Sequence, residues 1–115
     1  MPERPGNASR PIISEFATDP EMADLVQLFL GELPQRISAM ETAWRERRVQ
    51  SLARIAHQLK GAGSGYGFPT IGTAAGSLED RLRLLSETDA AGLQRAAAEF
   101  KQLIDLCSRA CASAA

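Results

Sequence analysis

Six apolar residues, Val26, Leu30, Leu33, Ile37, Met40 and Trp44, follow one another at intervals of 4, 3, 4, 3 and 4. An α-helix turns once in about 3.6 residues, so this spacing draws one apolar stripe along a rod of roughly five turns. Such a rod does not stand alone in water, and the stripe demands partners of the same kind to cover it. Pro34 lies inside the pattern and removes one backbone hydrogen bond. The stripe keeps its phase across it, which predicts one kinked, continuous helix rather than two. The segment "TDPEM" marks the start, with Thr18 or Asp19 as cap, Pro20 in the first turn and Glu21 at the positive end of the helix dipole. The end is "RERR", 45–48, whose charge suits a helix C-terminus. As a solvated turn it needs no further role; as a docking surface it would meet an acidic partner.

Three more helical patterns follow. The second runs from about Val49 to about Tyr66 on Leu52, Ile55, Leu59 and Ala62, and Gly67 is placed to end it as a left-handed cap. Pro69 opens the third, with Ile71, Ala74 or Ala75, Leu78, Leu82 and Leu85. After "SETDA", where Ser86 or Thr88 is expected to cap, a fourth carries Leu93, Ala97, Phe100, Ile104, Cys107 and Cys111. No strand pattern and no internal repeat is visible. Four helices with short links predict an all-α, antiparallel up-down four-helix bundle over residues 18–115. Residues 1–17 hold three of the six prolines and read as a lead-in, flexible or docked through Ile12, Ile13 and Phe16, with some helical character allowed.

Charge and composition narrow the function. A net charge of −1 lacks the basic excess of a nucleic-acid binder, and 5% aromatics offer no base-stacking platform. The start has no secretory apolar run, and "LVQLFL" is far too short to span a bilayer, so a cytoplasmic protein with no membrane partner is expected. Opening at Met1 and trailing off in "CSRACASAA", the chain is expected to be a whole small protein, with monomer as the default. Cys107 and Cys111 read as buried thiols of a reduced compartment. Two cysteines and one histidine at this separation make no recognised metal set.

"HQLKGAGSGYG", 57–67, holds the only histidine and then four glycines in the seven positions 61–67. At about 100° per residue, the apolar stripe of the second helix centres roughly opposite His57, so the imidazole is expected to face water. Lys60 and Gly61 share its face, Ser64 and Gly65 lie one turn further, and Ala53 flanks it on the other side. An inert surface histidine fits these facts; so does an accessible nitrogen with a cation beside it and clearance for another protein. Gly61 and Gly65 would supply that clearance, while Gly63 lies on the edge where a neighbouring helix approaches. Arg54 and Gln58 border the site, as solvated surface or as partner contacts. No second titratable group is expected to pair with His57.

"AHQLKGAGSGYG" resembles the signature of histidine-phosphotransfer (HPt) domains of bacterial two-component phosphorelays, carried here by His57, Leu59, Lys60, Gly61, Ser64 and Gly67. "DPEMADLVQLFLGELPQRI" is similar to that family's long first bundle helix with its internal proline, and "LEDRL", 78–82, resembles the end of its third. The added Gly63 and Gly65 and the basic "RERR" turn depart from the pattern. The resemblance, over about residues 12–108, implies that His57 accepts a phosphoryl group at Nε2 from a receiver-domain phospho-aspartate and passes it to another aspartate. It implies Lys60 and Ser64 as phosphoryl-supporting residues, with Ala53, Arg54, Gln58, Gly61 and Gly65 as clearance and docking positions. The implied partners are response-regulator receivers and a hybrid sensor histidine kinase. No cofactor is implied on this chain, the divalent ion being supplied by the receiver, and the domain would be a phosphocarrier without turnover of its own. A helical adaptor docking without phosphate transfer is the alternative, and a hydrolase using His57 as general base a more distant one.

Overall fold

A computed structural model of the chain describes residues 10–86 and 89–111. The first stripe forms α1 (Ala23–Arg45), unbroken through Pro34. Val26, Leu33 and Met40 are buried, Leu30, Ile37 and Trp44 pack beside them, and Phe29, outside the expected stripe, is buried too. Its ring lies 5.2 Å from that of Tyr66 and 5.7 Å from that of Phe68. The start differs from expectation. Residues 14–22 are spent in short turns, with Ala17 N bonded to Ser14 O, Asp19 N to Phe16 O and Met22 N to Asp19 O. Asp19 therefore caps the turn before the helix, its Oδ1 accepting from Glu21 N at 2.9 Å, and Met22 is the N-cap without a side-chain bond.

Three residues link α1 to α2 (Val49–Gly65), with Arg47 at φ 58° and Arg48 bonded to Glu46 at 2.8 Å in an exposed turn. Tyr66 is the C-cap of α2 and Gly67 has φ +90°. The Phe68 N–H reaches back to Gly63 O at 2.7 Å and Gly67 N–H to Ser64 O at 3.4 Å. This is the Schellman ending that the glycine foreshadows. Pro69 then opens α3 (Pro69–Leu82), where its missing N–H costs nothing. Ile71, Ala74, Ala75, Leu78 and Leu82 are buried as expected.

The last expected helix is two. α4 (Ala90–Gln94) and α5 (Ala97–Arg109) are separated by a tightened turn at Arg95–Ala96, closed by Arg95 N to Gly92 O and Ala96 N to Leu93 O. The break buries Leu93, Ala96, Phe100, Leu103, Leu106 and Cys107, leaving Ala97 and Ile104 partly exposed. Asp89 is the cap of α4, accepting from Gly92 N at 2.7 Å. Ser86 lies before it without that role, and Thr88 lies outside the described residues.

α1 packs on α2 and α5, α2 on α3, and α3 on α5, so four rods close into a ring. Side chains also bridge the pairs: Arg36 to Gln58 between α1 and α2, Arg81 to Glu99 between α3 and α5, and Trp44 stacked on Phe100 at 4.4 Å between α1 and α5. The all-α antiparallel bundle is the expected one, with one addition. Ile12–Ile13 (β1) pairs in parallel with Ala110–Cys111 (β2). Cys111 thus leaves the helix and is half-buried, while Cys107 stays buried and burial pushes its thiol up to about 12. Both thiols are free.

The described part of the lead-in is docked, not helical. Ile12 and Phe16 pack on the core, Ser14 is buried with its hydroxyl donating to Tyr66 O at 2.7 Å, and Glu15 N bonds Gly67 O at 2.8 Å. The expected flexibility of residues 1–9 lies outside the described residues. Among the described residues, no helix is long and apolar enough to cross a membrane.

Candidate functional site

Small residues draw α2 and α3 together. A Cβ on Gly63 would stand 2.9 Å from the Gly72 amide nitrogen and 3.0 Å from Ile71 Cγ2, so backbone meets backbone there. Ser64 Oγ fills the space beside Gly72, and the Lys60 stem crosses Gly76, where an added Cβ would lie 3.5 Å from its Cδ. The antiparallel register thus steps from Ser64–Gly72 through Lys60–Gly76 to His57–Glu79.

The His57 side chain is 64% exposed, and its Nδ1 lies 2.9 Å from Glu79 Oε2. The Glu79 side chain is only 5% exposed, beneath its partners rather than deep in the core. Arg83 brings Nε to the same Oε2 at 2.8 Å and adds Nη2, while Lys60 Nζ stands 3.9 Å from Oε1. The Arg83 guanidinium holds the Glu79 carboxyl below the usual carboxylate range; desolvation opposes it and the His57 hydrogen bond assists. An ionised carboxylate only accepts hydrogen bonds. A proton between the two groups therefore belongs to Nδ1, and whenever the ring is neutral its lone pair is on Nε2.

The expected site residues divide. His57 and Lys60 are brought together through Glu79. Gly61 and Gly65 lie in open space, with no atom within 4 Å of an added Cβ. Ser64 is exposed along the same face. Gln58 is exposed but tied to α1, accepting from Arg36 Nη1 at 3.3 Å, and Arg36 also pairs with Glu32 at 3.2 Å. Ala53 is a correction: it is buried, because α2 turns its small residues, Ala53, Ala56 and Gly63, toward the core. Ala53 instead floors an open cleft of about 550 Å³ beside His57, with Val49 and Leu82, and with Arg54 and Arg83 also lining it.

The expectation that no titratable group pairs with His57 is overturned by Glu79. Its signal is in the sequence. Glu79 sits in "LEDRL" between Leu78 and Leu82 and four residues after Ala75, a carboxylate on a face otherwise read as core. Among the described residues, no group of three or more His, Cys, Asp and Glu side chains could hold a metal ion. The family model of the Hpt domain matches residues 24–112. Comparison with curated proteins and with solved structures gave no match.

Proposed function

The chain belongs to the Hpt domain family, phosphocarrier modules of two-component signalling that interact with response-regulator receiver domains, and from that premise we propose that His57 relays a phosphoryl group from one receiver's phospho-aspartate to the aspartate of another. The observation that carries this reading is the 2.9 Å contact from Nδ1 to Glu79, which favours the Nδ1–H tautomer and so supports Nε2 as the nucleophile. Nε2 bonds to phosphorus as the P–O bond to the receiver aspartate breaks, and the carboxylate departs with that electron pair. The ring then bears Nδ1–H, Nε2–P and a positive charge, and Nδ1–H keeps its hydrogen bond to Glu79. Onward transfer reverses these steps on a second receiver.

Phosphoryl transfer asks for alignment and charge neutralisation more than for covalent help. Lys60 supplies a mobile point charge to a phosphoryl oxygen. Ser64 leaves room and offers its hydroxyl to a bridging water. Gly61 and Gly65 admit the receiver's loops, with Arg54 and Gln58 at the edge of the contact. The domain carries phosphate without turnover of its own and without its own cofactor, and the receiver brings the divalent ion and acidic pocket. A hybrid sensor histidine kinase is the upstream source, the cytoplasm the compartment and a monomer the working form.

Mixing the protein with a phosphorylated receiver tests this. An acid-labile, alkali-stable label on the protein is the expected result. Stable docking with no label would replace transfer by an adaptor role, and turnover of a small phosphoester that needs His57 would replace it by hydrolysis. Lys60→Ala is expected to slow labelling about tenfold, less than the loss of a buried donor costs, with circular dichroism unchanged because the side chain is 56% exposed. A matching loss of helicity would assign Lys60 to the fold instead. Gly61→Leu is expected to weaken receiver binding roughly tenfold or more by bulk alone; unchanged affinity in a titration would remove Gly61 from the interface.

A further inference from the structure

Glu79 Oε2 is shared. It accepts from His57 Nδ1 at 2.9 Å and from Arg83 Nε at 2.8 Å, with Arg83 Nη2 on the same atom. The chemistry above uses the first contact and has no need of the second. A bare carboxylate beside an imidazole does two things at once. It fixes the Nδ1–H tautomer, and it favours the imidazolium, drawing a second proton onto Nε2. The first makes a nucleophile and the second destroys it. A site built this way needs the acceptor atom without its full charge.

We propose that Arg83 is a positioning residue that neutralises Glu79, so that the carboxylate orients His57 without drawing a proton onto Nε2. Arg83 follows Glu79 by one turn, so the pair share a face of the same helix end. The guanidinium places two donors on the oxygen that faces the imidazole, and its planar fork keeps them there. The other charges near the site leave this task to Arg83. Lys60 on α2 stands 3.9 Å from the other oxygen, Oε1. Arg54 lines the cleft with His57. Arg36 of α1 is engaged with Glu32 and Gln58, and Arg81 with Glu99 of α5. The consequence for phosphate acceptance rests on the phosphotransfer reading; the effect on His57 itself does not.

The test follows the ring of His57, the chain's only histidine, by nuclear magnetic resonance against pH, in the whole protein and in Arg83→Met, Arg83→Lys, Glu79→Gln and the Glu79→Gln, Arg83→Met double variant. Acceptance from a phosphorylated receiver is measured alongside. Arg83→Met is expected to move the midpoint of the ring's titration up by about one pH unit. A higher midpoint lowers the neutral fraction near pH 7, so acceptance falls severalfold at pH 7 and recovers at pH 8.5. Arg83→Lys restores most of the difference. Adding Arg83→Met to Glu79→Gln moves the midpoint little, because the charge to be neutralised is gone. A midpoint unmoved in Arg83→Met, or moved equally in both backgrounds, overturns the proposal, as does a loss of acceptance equal at both pH values. If the titrations behave as stated and no receiver labels any form, the role of Arg83 stands and phosphotransfer falls.

Discussion

His57→Gln is expected to abolish labelling by a phosphorylated receiver while leaving helical content and melting temperature nearly unchanged. The amide nitrogen of glutamine has no available lone pair, so no P–N bond forms. With one histidine in the chain, no second imidazole can take over. The fold is insulated from the change because the side chain is 64% exposed, and surface replacements move stability by only about 0.5 kcal/mol. Glu79 keeps Arg83 and Lys60 as partners when the imidazole is gone, so no buried charge is orphaned. Label retention measured against circular dichroism separates the outcomes. Label surviving in the variant would place the acceptor elsewhere, and a melting temperature falling with the label would make His57 a structural residue.

The same exposure explains why the direction of His57 and Lys60 is legible in the sequence. His57 and Lys60 are exposed residues of one long helix, and a helical wheel fixes their direction from local spacing alone. The stripe of α1 was legible for the same reason, since Pro34 falls on its exposed side. Legibility ended where contacts join distant segments or where small side chains do the packing. Hydrophobicity ranks Ile55 above Ala53 and Ala56, yet the two alanines are buried and Ile55 is partly exposed, because α3 approaches where side chains are smallest. That rotation buries Ala53 at the floor of the cleft beside His57. Glu79 lies 22 residues from His57, so no local pattern joins them; only the register of α2 against α3 does. The pairing of Ile12–Ile13 with Ala110–Cys111 spans nearly the whole chain, and two-residue strands leave no alternation to detect.

Gly63→Ala and Gly61→Ala are expected to change stability in opposite directions, though the residues are two apart on one helix. By helix propensity alone, each replacement gains about 1 kcal/mol, since alanine loses less backbone freedom on folding. At Gly61 nothing lies within 4 Å of the new methyl, so the gain is kept. At Gly63 the methyl meets the Gly72 amide nitrogen at 2.9 Å and Ile71 Cγ2 at 3.0 Å, and the first of these is backbone, which cannot turn aside. α2 and α3 must separate, at a cost of roughly 1–3 kcal/mol for overpacking a core contact, which outweighs the propensity gain at all but the low end. For a domain of this size each kcal/mol moves the melting temperature by about 4 °C, so thermal melts resolve the two signs. The helix pair that Gly63 closes also sets the 2.9 Å between His57 and Glu79. Gly63→Ala is therefore expected to slow phosphate acceptance severalfold at temperatures where it remains folded, whereas Gly61→Ala keeps the rate, one methyl being small against the space left open there. Equal stabilisation by both alanines would mean that the helices do not touch at Gly63. A destabilised Gly63→Ala with full acceptance would mean that the Glu79 contact does not depend on how closely α2 and α3 pack.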